Sequence, residues 1–73
     1  METIWSRLNK ARPIDGERIV ILDLIRCDTG EYNKSHDWLD ADVAFISLDS
    51  YEDDAVWCYE EKLRDAVYMN GKQ

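Results

Sequence analysis

Hydrophobic positions along this chain fall into stretches of different period, and each stretch predicts its own element. Ile4, Leu8 and Ala11 recur at i, i+4 and i+7 behind Thr3, a residue suited to an N-cap, which predicts a short helix. Pro13 ends it, because the residue before a proline is pushed out of the helical region, and Asp15-Gly16 reads as a turn. Glu17 to Cys27 is dense in Ile, Val and Leu and predicts a strand. Its run Ile19–Leu22 fills both faces, so the strand is expected to be central and covered on both sides. A helix with Arg18, Asp23 and Arg26 on its polar side competes, but the β-branched density favours the strand. Residues 28–41 are polar and carry Asp28, Gly30 and Asn33, which predicts a long loop. Asp42 to Leu48 alternates, with Val43, Phe45 and Ser47 on one side and Ala44, Ile46 and Leu48 on the other, as a second strand would.

The last stretch reads as a long helix. Ser50 and Asp53 form a capping pattern, and Glu52, Asp53 and Asp54 crowd what would be the positive end of the helix dipole. The helix is expected to reach about Met69 and to stop at Asn70-Gly71. Ala55, Val56, Tyr59, Leu63, Ala66 and Val67 share one stripe, the expected core face. Asp53, Trp57, Glu61, Arg64 and Tyr68 share the opposite face, with Asp54 and Asp65 beside it. Trp, Tyr and Arg dominate binding hot spots, so these five residues are the candidate partner-binding site. The competing reading packs Trp57 under the N-terminal helix or the 28–41 loop; Trp5 and Trp38 carry the same choice between binding and packing, and packing is favoured for both. The predicted fold is a single α+β domain over residues 1–73, roughly α-β-β-α, with helices packed on a short sheet.

Composition narrows the function. The chain has 73 residues, of which 45% are hydrophobic: enough for one small core, too few for a bilobal enzyme or a solenoid. Its net charge is −7, and the excess is uneven. Residues 1–36 hold six bases and six acids, whereas residues 37–73 hold three bases and ten acids. That imbalance points to a partner protein with a basic face, or one that normally holds nucleic acid, and argues against direct nucleic-acid binding. Solubility alone also favours net charge. Two cysteines are too few for a secreted disulfide scaffold, METIWSRLNK lacks a leader's apolar core, and Ile19–Leu22 is far too short to span a membrane. A cytoplasmic protein with reduced thiols is expected.

Several chemical motifs are present only in outline. Asp28-Thr29-Gly30 is the tripeptide of aspartic proteases, but polar neighbours and the short chain favour a turn. Asp23 after Ile19–Leu22 resembles the first strand of a two-metal exonuclease, yet Ile25 stands where the second carboxylate belongs. Cys27, His36 and Cys58 match no zinc-finger spacing, His36-Asp37 has no nucleophile at recognisable spacing, and the three glycines form no phosphate loop. No enzyme activity, cofactor or metal is expected. The carboxylates Asp37, Asp40, Asp42 and Asp49, with Glu52, Asp53 and Asp54, could instead imitate phosphates along a duplex.

In its acidic length, its neutral first half and the segment SYEDDAVWCYEEKLRDAVY, Ser50–Tyr68, the chain resembles small phage-encoded proteins that redirect a host machine. It looks most like the acidic transcription regulators that lytic phages direct at bacterial RNA polymerase. The resemblance implies a non-enzymatic regulator in the host cytoplasm that contacts a polymerase subunit and inhibits initiation. It carries over no binding residue. The alternatives are a nucleic-acid mimic that blocks a nuclease or anti-phage complex, and an antitoxin-like partner of a small basic toxin.

Overall fold

The structure, a computed structural model, describes residues 3–71, with side chains as far as residue 68. Six strands run in the order β1 (Ser6–Arg7), β2 (Arg18–Leu22), β3 (Cys27–Asn33), β4 (Trp38–Ala41), β5 (Ala44–Ser47) and β6 (Val56–Tyr59), with a 3-10 turn at Leu48–Ser50 before β6. A single helix, α1 (Glu60–Gly71), follows β6 directly. The strands form one sheet in the spatial order β1-β6-β2-β3-β4-β5, antiparallel at every pairing. Strands β2 to β5 are a meander, and β6 returns to the free side of β2.

The register sorts the side chains into two faces, because directly opposed residues point the same way. Ile19 opposes Gly30 and Tyr59, Ile21 opposes Asp28 and Trp57, and Tyr32 opposes Leu39, which in turn opposes Ile46. This is the core face. Its buried side chains form one cluster with Leu8, Leu48, Tyr51 and Ala55. The sheet therefore curls around its own core, closed by the N-terminal segment and the 48–55 connection. Gly30 marks the bend: a Cβ there would overlap the Asp40 carbonyl oxygen and lie 2.8 Å from its carbonyl carbon.

On the opposite face, α1 packs against β2 and β6 and buries Val20 and Cys58. Strand β2 is thus central and covered on both faces, as its apolar run predicts, but the strand expected over Glu17–Cys27 ends at Leu22: residues 23–26 turn the chain, leaving Leu24 and Ile25 exposed, and Cys27 opens β3. Glu60 and Glu61 occupy the first turn of α1, where the helix dipole favours acids. Arg18 ties the helix start to β2 by donating to Glu60 at 2.7 Å.

The fold is mainly β, which overturns the expected α-β-β-α arrangement of helices on a short sheet. Three expectations fail with it. The segment expected as an N-terminal helix instead gives β1 and a turn in which Lys10 and Ala11 both donate to the Arg7 carbonyl. The expected 28–41 loop is the β3–β4 hairpin, so Asp28-Thr29-Gly30 lies in a strand and not in a turn. The expected helix from Ser50 is a 3-10 turn, an irregular connection and β6, with regular helix only from Glu60. It reaches Gly71, and residues 72–73 lie outside the described residues.

Candidate functional site

The five residues expected on one helical face do not share one. Asp53 sits in the connection before β6, exposed. Trp57 lies on β6 in the core cluster, with only 5% of its surface exposed. Its indole N–H donates to the Ala11 carbonyl at 2.9 Å, and its ring meets Tyr59 edge-on at 5.1 Å. Glu61, Arg64 and Tyr68 remain exposed on α1, where Arg64 and Tyr68 border an open groove with Val20, Leu63 and Val67.

A second uncovered surface is on the convex face of β3, β4 and β5, beyond the contacts of α1 with β2 and β6. Three rings stack there. His36, in the β3–β4 loop, lies on Trp38 at 4.2 Å between centroids, and Trp38 lies on Phe45 of β5 at 4.8 Å. Phe45 is 61% exposed, and the enclosed Trp38 indole N–H has no acceptor among the described residues. Beside the rings, Glu31 of β3 directly opposes Asp40 of β4, and Asp40 directly opposes Phe45. Like charges placed directly across strands cost stability; Arg18 of β2 directly opposes Glu31 on its other side and offsets part of that cost, so Asp40 is the acid of the row without a directly opposed cation. Among the described residues, neither Glu31 nor Asp40 makes an ion pair.

Other acids are occupied in holding the fold. Asp37 adopts a left-handed backbone (φ 53°) at the end of the β3–β4 loop. It accepts from the Tyr32 hydroxyl at 2.7 Å and pairs with Arg12 at 3.1 Å, while Arg12 also reaches Asp49 and donates to the Leu8 carbonyl. This strut joins the hairpin, the N-terminal segment and the 3-10 turn. A second strut joins the β2–β3 turn to the 48–55 connection. Tyr51 donates to Asp28 at 2.7 Å, the Arg26 guanidinium lies over the Tyr51 ring, and Asp23 accepts the Glu52 amide. The Asp23 carboxyl is held below its usual range chiefly by that amide bond. Burial and then the bond to Asp28 raise the Tyr51 phenol.

Burial, and then the bond to Asp37, push the Tyr32 phenol from its ordinary 10.0 up to about 12. A raised folded-state value means that the folded protein holds the proton more tightly than the unfolded chain. The resulting stabilisation is complete below about pH 10 and drains away as the pH climbs towards 12. Urea melts should therefore show a midpoint that falls between about pH 10 and pH 12 in the wild type, and falls less in Tyr32→Phe. Equal pH dependence in the two proteins would remove this role from Tyr32.

Among the described residues, each large displacement of a titrating group thus has a structural partner, Asp37 for Tyr32 and Asp28 for Tyr51. Cys27, His36 and Cys58 lie on β3, the β3–β4 loop and β6, and among the described residues no group of His, Cys, Asp and Glu is placed to hold a metal ion. No described helix is long and apolar enough to cross a membrane. The aromatic stack is the feature that sequence reasoning missed. Trp38, for which the sequence favours packing over binding, and Phe45 with Ser47 on one side of an alternating strand are the signals present, and without the β4–β5 register they designate no site.

The chain matches no protein-family model, no curated protein and no solved structure.

Proposed function

We propose that the protein is a non-enzymatic binding module that acts by occupying a basic surface of a larger protein. The observation that carries this reading is the stack of His36, Trp38 and Phe45, an exposed aromatic surface bordered by the opposed acids Glu31 and Asp40. Buried aromatic area supplies affinity at interfaces, and surrounding charge supplies encounter rate and specificity. The net charge of −7 extends that attraction over the whole molecule. Glu61, Arg64 and Tyr68 on α1 are a second exposed set that a large partner would reach.

Bacterial RNA polymerase is the partner we favour, on the resemblance to phage transcription regulators, and the host cytoplasm is then the place of action. Binding would stabilise polymerase states unable to form a productive promoter complex, in proportion to the difference in affinity between states. Affinity capture from a bacterial lysate, read by mass spectrometry, separates the partner classes. Polymerase subunits are the expected catch. A nuclease effector would favour the nucleic-acid mimic instead, and a small basic toxin the antitoxin-like role. The protein alone should not shift DNA in a gel at physiological salt, because its own field repels phosphates; a shift competed away by rising salt would contradict the charge argument.

A further inference from the structure

Strand β5 ends the sheet, and its outer edge is bare. Edge strands in stable proteins are usually blunted by lysine, proline, a bulge or a covering element. The β5 sequence Ala-Phe-Ile-Ser has no charge and no proline. The opposite edge, β1, is only two residues long and carries Arg7. Among the described residues, the outer side of β5 is therefore a whole strand edge left open for another strand.

Its geometry fixes what such a strand would meet. Ala41 and Ala44 flank the two-residue turn Asp42-Val43 and are register partners. The pair that closes a two-residue hairpin is the hydrogen-bonded one, and the pattern alternates from there. The N–H and C=O of Phe45 consequently point outward, away from β4. A strand added at this edge would bond to Phe45 through its backbone. Its alternate side chains would lie on the convex face beside the Phe45 ring, with Asp40 and Glu31 in the rows behind.

We infer that β5 is a docking edge that takes an extended basic segment of the partner protein as an additional strand. The inference rests on the binding-module reading above and specifies how that module holds its partner. Charge decides the occupant. A second copy of this chain brings another net −7 to the same acidic face, whereas arginine or lysine on alternate positions places cations over the Phe45 ring and towards Asp40 and Glu31. The intervening positions face the core side, beside Ala44 and Ile46, and suit apolar residues.

The test uses the full chain and a synthetic octapeptide of alternating arginine and valine, followed by amide hydrogen exchange. The Phe45 amide, open to solvent in the free protein, should gain protection on addition of the peptide. Asp40→Lys and Phe45→Ser, both at exposed positions, should weaken peptide binding by about thirtyfold, the scale of an interface hot spot. The same peptide with methylated backbone nitrogens keeps its charge but cannot extend a sheet, and it should leave Phe45 unprotected. Equal binding of the methylated peptide, or protection elsewhere without change at Phe45, overturns strand addition. Absence of peptide binding overturns it as well. The failure of the underlying reading looks different. If purified polymerase binds wild type and Phe45→Ser alike and the peptide does nothing, the binding module stands and the edge proposal falls. If the peptide protects Phe45 but polymerase does not bind, the edge stands and the polymerase assignment falls.

Discussion

Replacing Gly30 with valine should abolish the folded state. Gly30 lies on β3 between Ile19 of β2 and the backbone of β4, fully within the curl of the sheet. A Cβ at this position would overlap the Asp40 carbonyl oxygen and stand 3.0 Å from the Ala41 Cα. These are backbone atoms of a paired strand, so no side chain can swing aside to make room. Relief requires β3 and β4 to separate, which would open the core at Tyr32 and Leu39. Overpacking of a flexible core costs about 1–3 kcal/mol, and a backbone collision costs more. A small domain has a total stability on the order of 5 kcal/mol, so even alanine should lower the urea midpoint sharply. Gly16 is the internal control. Its φ is +85° but a Cβ there meets nothing within 4 Å, so Gly16→Ala should cost only about 1–2 kcal/mol of backbone strain. Circular dichroism and urea melts of the variants provide the comparison. A folded Gly30→Val with a wild-type midpoint would mean that β3 and β4 do not approach as described.

Trp57→Ala should be nearly as damaging. The substitution empties the centre of the core cluster, removes the edge-on contact with Tyr59 and leaves the Ala11 carbonyl without its indole donor. Truncating a buried tryptophan costs about 3–5 kcal/mol, most of what a domain this size possesses. Trp57→Phe retains much of the apolar volume and loses the hydrogen bond, so it should fall between the two. This reverses the outcome implied by the helical wheel, on which Trp57→Ala would spare folding and abolish binding. A Trp57→Ala protein that melts within a few degrees of wild type would return Trp57 to the surface.

The reason for that reversal is visible in particular residues. Ala55, Val56, Tyr59 and Leu63 happen to fall at helical spacings, but Val56–Tyr59 is a strand covered on both faces, whose continuous apolar run hides the period of two. Glu52, Asp53 and Asp54 look like the acidic first turn of a helix; Glu60 and Glu61, eight residues on, actually hold that position. The β3–β4 hairpin was illegible for the opposite reason. Its buried positions are Gly30, Tyr32 and Leu39, of which glycine has no side chain to register as apolar, and its other face carries the exposed acids Glu31 and Asp40. The alternation is there in Thr29, Gly30, Glu31 and Tyr32, but only as exposure, not as hydrophobicity. Strand β2 and the alternation of β5 were legible because Ile, Val, Leu and Phe carry them. Trp38 and Phe45 become a surface only through the β4–β5 register, which is a long-range fact that no local pattern contains.

The most direct measurement of the central claim is a titration of the immobilised protein with purified bacterial RNA polymerase over a series of salt concentrations. An acidic aromatic surface that occupies a basic one predicts saturable binding that weakens steadily as salt rises, with slower association for Asp40→Lys. No binding at low salt, or binding indifferent to both salt and Asp40→Lys, would contradict the account.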